Sequence, residues 1–106
     1  VVQLMCMIEN DEFYNLQTKH ITEAYFAQDL AKVFEAFEDK LNSLCDSTPE
    51  EENRILYDRN SNWVGIMPAM MAEKPTLFVV GAAHLPSERG VLELLRQMGY
   101  TVEAVQ

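Results

Sequence analysis

Two stretches of this 106-residue chain place reactive side chains where they could be used. The first is Gly81-Ala82-Ala83-His84. An apolar run, Leu77-Phe78-Val79-Val80, leads straight into it, and Pro86, Ser87 and Glu88 follow. Glycine permits close backbone approach and the two alanines leave room, so one imidazole is offered at the end of an extended segment. A neutral imidazole suits a metal, and its ordinary pKa near 6.5 suits proton transfer. Glu88, one helical turn on, is a candidate second ligand or base. Gly81, Ser87 and Gly90 supply the small residues and backbone N–H groups that hold a substrate or an anion beside a helix start. The plainer reading is a loop histidine hydrogen-bonded to backbone, with Glu88 an ordinary first-turn acid. The second stretch is Arg59-Asn60, in a helix otherwise rich in core residues. A guanidinium beside an amide can hold an oxyanion. The plainer reading there is a soluble helix face with Asn60 in a capping or loop role.

Other chemistries lack their residues. No Ser/His/Asp spacing, Cys/His pair or phosphate-binding glycine loop occurs. His20, in Gln17-Thr18-Lys19-His20, reads as a helix-face residue. A metal site usually wants three protein ligands, and His84 has few companions. Glu50, Glu51 and Glu52 resemble an acid cluster, yet helix capping explains them. Cys6 and Cys45 form no CxxC and read as two partly buried free thiols.

The elements that must position these residues follow from apolar spacing. Leu4, Met5 and Ile8 share one helix face, and Asn10-Asp11 breaks it. An amphipathic helix runs from Glu12 to about Gln28. Asp29 caps another that reaches about residue 45. Thr48-Pro49-Glu50-Glu51 starts a third, with Thr48 as N-cap, Pro49 at the first helical position and Glu51 closing a capping box. Pro68 should kink or split that helix. Leu77 to Val80 reads as a strand buried on both faces. Ser87 caps a helix from Glu88 to about Met98, Gly99 stops it, and Tyr100 to Val105 is a second strand. The expected fold class is therefore α/β, close to an α+β fragment: a helical N-terminal half, then a βαβ unit with two parallel strands and a right-handed crossover. One domain is expected over 1–106, with a helical region 1–47, a kinked helix 48–75 and βαβ at 76–106. Two strands alone leave both sheet edges unpaired. This predicts either self-association, most simply as a homodimer, or a sheet completed by chain absent from this sequence.

Seventeen acidic against eight basic side chains give a net charge of −9. Such a surface repels a phosphate backbone, so no nucleic-acid partner is expected. No apolar run approaches the roughly 20 residues of a transmembrane helix. The sequence opens on VVQLMCMIEN without Met, and reads as an excised or processed piece.

In order, Tyr57-Asp58-Arg59-Asn60, then Trp63, then LFVVGAAHLPSERGVLELLRQMGYTVEAV resemble the C-terminal part of TraB/GumN-family proteins, the group that includes the Tiki proteins. The likeness runs from about Glu23 to Val105 and includes Ala24, Tyr25, Asp29 and Leu30. It implies a divalent-metal, hydrolase-like site built from two G-x-x-H motifs, of which Gly81 and His84 match the second. His84 would be a metal ligand for Mn, Co or Zn. Glu88, Arg59 and Asn60 would be catalytic, orienting water or substrate, and Glu88 and Gly90 match the turn after the motif. Some eukaryotic members act as membrane-tethered metal-dependent proteases, which implies a protein or peptide substrate. Many bacterial members are thought to be exported, which implies the cell envelope or periplasm. Ser87 stands where that turn usually has glycine, and the first G-x-x-H is absent. The resemblance thus implies half a site: a metal-dependent hydrolase in the full-length protein, with no tight metal binding or activity in this chain alone. The alternative is a non-catalytic interaction or regulatory domain.

Overall fold

The computed structural model describes residues 1–105, and all regular structure among them is helical. The chain divides into two compact units, Val1–Pro49 and Glu50–Gln106.

The first unit contains α1 (Val2–Glu9), α2 (Asp11–Phe26) and α3 (Leu30–Phe37). The break at Asn10 is where the sequence placed it. Both the Asn10 backbone N–H and its side-chain amide donate to the Cys6 carbonyl, each at 3.0 Å. Asp29 caps α3 as expected, accepting from the Lys32 N–H at 3.1 Å. However, α3 stops at Phe37, well short of residue 45. Gln17 of α2 donates to the Ala36 and Phe37 carbonyls at 3.1 and 3.4 Å, drawing off groups a longer helix would use. Asn42 adopts a left-handed φ of 59°. The Asp46 carboxylate accepts from the N–H groups of Leu41 (2.8 Å) and Ser43 (3.2 Å). Local side-chain bonds of this kind offer the backbone an alternative to helix. The Leu41 bond is the main reason that the Asp46 carboxyl is held below the usual carboxylate range.

The two expected free thiols are instead one disulfide, Cys6–Cys45, with Cα atoms 5.7 Å apart. The 38–48 loop folds back onto α1, a proximity that a separation of 39 residues does not reveal. The cross-link matters because the interior here is small. Only Cys6, Ala24, Val33 and Ala36 are buried, and segments this short seldom fold on their core alone.

The second unit opens at the boundary with α4 (Pro49–Glu52), a π-helical segment (Asn53–Tyr57) and α5 (Asp58–Glu73). The start at Pro49 is the one expected. Pro68 lies inside α5 without ending it, although it removes the bond to the carbonyl four residues back and its ring crowds that carbonyl. A 3₁₀ turn (Ala82–His84) and α6 (Val91–Gln97) follow.

The predicted βαβ unit does not form. Residues 76–80 and 100–105 are not strands, and no sheet exists among the described residues. Leu77 and Val79 are 86% and 83% exposed, the opposite of a strand buried on both faces. Apolar, β-branched composition favours extended backbone, but a strand also requires a partner ladder about 4.8 Å away. No such ladder is present among the described residues. Phe78 instead packs on the core of Val64, Met67 and Val91, together with Trp63, Met71, Leu85, Leu94 and Leu95.

The last helix begins at Val91, three residues later than expected. Gly90, not Ser87, is its N-cap. At its other end Gly99 behaves as predicted, with φ +97°. Its N–H donates to the Arg96 carbonyl at 2.9 Å and the Tyr100 N–H to the Leu95 carbonyl at 3.1 Å, the paired bonds of a Schellman ending. Among the described residues, no helix is long and apolar enough to cross a membrane.

Candidate functional site

Around His84, three segments of the second unit converge. The π-helical segment comes first. Its last bond runs from the Asp58 N–H to the Asn53 carbonyl, five residues back. That extra residue rotates the downstream helix, and Asn60 is brought fully inside (0% exposed) while its neighbour Arg59 stays exposed. The 3₁₀ turn comes second and carries His84, which is 8% exposed. The turn over residues 85–90 is third.

Asn60, on α5 just past the π segment, links the two turns. Its Oδ1 lies 2.7 Å from His84 Nδ1, and its Nδ2 donates to the Arg89 carbonyl at 3.0 Å. The Arg89 guanidinium in turn sits 4.2 Å from the centre of the Tyr57 ring, fastening the 85–90 turn to the π segment. On the other side, the Trp63 ring lies 4.6 Å from the imidazole, tilted by 50°. Arg59 lies over Trp63 at 5.0 Å, a cation–π distance. Arg59, Trp63 and His84 therefore follow one another along one wall of a cleft of about 440 Å³. Ile66, Met70 and Phe78 make its apolar remainder.

Gly81 lines the same cleft. Its φ is −63°, so no left-handed conformation demands glycine there. A Cβ at this position would stand 3.7 Å from His84 Cδ2, an ordinary contact. What glycine does instead is leave the Cδ2 side of the imidazole free of a side-chain contact. Gly90 is glycine for a different reason. A Cβ there would collide with the carbonyl oxygens of Leu85 and Pro86.

The sequence model of the TraB/PrgY/gumN family matches residues 1–104. The chain belongs to that family. The match takes in α1 and the part of α2 before Glu23, which lie outside the stretch that carried the resemblance. No curated protein and no solved structure is similar enough to count as a match.

In this TraB/PrgY/gumN chain, the predicted site residues separate into two groups. His84, Arg59, Asn60 and Gly81 are brought together. Glu88 is not brought into the cleft: it is exposed on the 85–90 turn and does not line the wall. Ser87 and Gly90 shape that turn, the Gly90 N–H donating to the Ser87 carbonyl at 3.1 Å. Ser87 has φ +79°, a left-handed conformation natural to glycine and unusual for serine. The glycine that the family turn usually has at this position would adopt this φ without a side-chain penalty. Trp63, Arg89 and Tyr57 are participants that residue spacing did not nominate. A signal for one of them existed, since Arg59 and Trp63 are four apart on one helix face.

Burial holds the His84 imidazole below its ordinary pKa, and the nearby Arg59 charge adds to the effect. The ring is therefore neutral near pH 7. A folded pKa below the unfolded value of about 6.5 means that the unfolded chain takes up the proton first. This contribution to stability is fully present above about pH 6.5 and fades as pH falls through the lowered folded value. Urea unfolding from pH 7.5 down to 5 should show the wild type losing stability faster than His84→Gln. Parallel pH profiles would refute the assignment.

Proposed function

We propose that this chain supplies one wall of a metal-dependent hydrolase site acting on a protein or peptide. The observation that supports it most directly is the buried Asn60–His84 pair at the edge of an open cleft. A metal-ligating histidine characteristically has its second ring nitrogen fixed by an outer partner, and a neutral imidazole is the form that binds metal. His84 fits a divalent ion such as Mn, Co or Zn as one donor. Among the described residues, no group of three His, Cys, Asp or Glu side chains converges to hold one. The remaining donors would come from elsewhere in the assembled protein. Such an ion would supply Lewis acidity and a more acidic bound water.

The chain's own residues have three tasks. His84 gives an electron pair from Nε2. Arg59, over the Trp63 ring, carries a positive charge along the same wall, suited to a carboxylate or a developing oxyanion. The apolar remainder of the cleft, Ile66, Met70 and Phe78, offers contact to the non-polar part of a bound substrate. Glu88, exposed, has no task in this scheme. The Cys6–Cys45 disulfide supports an extracytoplasmic location, because disulfides persist in oxidising compartments.

A second reading, an interaction domain, is favoured by a separate observation. Leu77 and Val79 are apolar and exposed, with no ladder partner among the described residues. Self-association as a homodimer is its simplest form.

One set of measurements separates the two. Calorimetric titration of the full-length protein with Mn, Co and Zn should show a bound ion that is lost in His84→Ala. Equal stoichiometry in the variant would remove the hydrolase reading. Light scattering that gives a monomer mass at high concentration would remove the homodimer.

A further inference from the structure

Asn60 is a polar residue with no exposed surface, placed on the apolar stripe that also carries Val64 and Met67. Such a position is costly unless every polar atom is satisfied. Here it is: among the described residues no buried side-chain nitrogen or oxygen lacks a partner. The pattern of that satisfaction carries information, because an amide has two unlike ends.

The end facing Arg89 meets a backbone carbonyl at 3.0 Å. A carbonyl oxygen can only accept, so this end must be the NH₂ group. The other end, directed at His84, is therefore the oxygen. An amide oxygen can only accept in its turn, so the hydrogen in the 2.7 Å contact belongs to His84 Nδ1. A neutral imidazole carries one proton, and with Nδ1 holding it, Nε2 is left with a free electron pair. Nε2 has no protein hydrogen-bond partner among the described residues. Its neighbour Cδ2 is the ring atom nearest Gly81, which lines the cleft.

We propose that Asn60 is a positioning residue that fixes His84 as the Nδ1–H tautomer, and that the Arg89 carbonyl sets the direction of Asn60. The 85–90 turn thereby acts on His84 without touching it. Arg89 stacked on Tyr57 and the side-chain-free Gly90 hold the controlling carbonyl in place. The direction is functionally specific. Reversing the amide would put its NH₂ toward Nδ1 and a hydrogen on Nε2, and the cleft would face a donor in place of an electron pair.

This inference deepens the hydrolase reading, but its test requires neither metal nor substrate. Long-range ¹H–¹⁵N correlation NMR on the metal-free protein, at a pH where the ring is neutral, reads the tautomer directly. Free histidine prefers the Nε2–H form, so an Nδ1–H signature for His84 is an imposed state. The wild type should show it. Asn60→Asp, which keeps an acceptor beside Nδ1, should retain it. Asn60→Leu, which removes the acceptor, should return His84 to a mainly Nε2–H form. An Nε2–H signal in the wild type would overturn the proposal, and that spectrum needs no variant to fold. An unchanged Nδ1–H signal in Asn60→Leu would overturn the role given to Asn60. If the tautomer is as stated and no ion binds, the hydrolase reading fails while this inference stands.

Discussion

Reducing the Cys6–Cys45 disulfide is expected to destabilise the first unit by about 4 kcal/mol. The figure follows from the loop-closure entropy restored to the unfolded chain when a cross-link spanning 39 residues is cut. Few residues are available to offset such a loss. The buried set is one cysteine, two alanines and one valine, while Leu4, Ile8 and Phe26 are 60%, 63% and 78% exposed. α1 is tied to the rest of its unit chiefly by the sulfur bridge and by Asn10, whose side chain also lies 3.9 Å from the Cys45 sulfur. Hydrogen exchange with and without dithiothreitol should show protection collapsing over residues 2–37 on reduction. Cys45→Ser should reproduce the effect without reductant. Protection unchanged by both treatments would remove the disulfide and, with it, the argument for an oxidising compartment.

Gly90→Ala should cost about 3 kcal/mol, at the upper end of ordinary overpacking. The added methyl would meet the Leu85 and Pro86 carbonyl oxygens, and would lie 2.6 Å from the Pro86 carbonyl carbon. These are backbone atoms and cannot swing aside as a side chain could. The 85–90 turn must open, and the Arg89 carbonyl that holds Asn60 moves with it. Stability and the geometry of His84 should therefore be lost together. Ser87→Gly, three residues away, should act in the other direction. It relieves a side chain held at φ +79° and should stabilise by about 1 kcal/mol. The pair is informative because both changes concern glycine in one turn and differ in sign. Chemical denaturation of the two variants against wild type reads both. A Gly90→Ala protein as stable as wild type would show that the turn is not closed as described.

Much of the local order was legible in the sequence. Asn10 as a break, Asp29 as an N-cap, Pro49 as a helix start and Gly99 as a left-handed stop depend on backbone and side-chain atoms within a few residues of one another. Local chemistry of that kind is written residue by residue. The same is true of the site's location. Gly81 and His84, Arg59 and Asn60 stand out by residue type and spacing, and they do meet. The TraB/GumN resemblance likewise depends on ordered local motifs, and the family match bears it out.

Tertiary structure decided what depends on distant partners. Residues 77–80 and 100–105 have strand composition, yet a strand is a relation between two segments, and neither finds its ladder among the described residues. Cys6 and Cys45 read as separate thiols because only the folding of the 38–48 loop brings them together. Glu88 sits one turn from His84 by spacing alone, but the helix meant to carry it starts at Val91. Asn60 shows the division most sharply. By residue type and spacing it reads as an oxyanion ligand or as a capping residue on a soluble helix face, and only the fold buries it beside Val64 and Met67. Which atoms satisfy it, and hence which nitrogen of His84 keeps its electron pair, depends on a carbonyl 29 residues away.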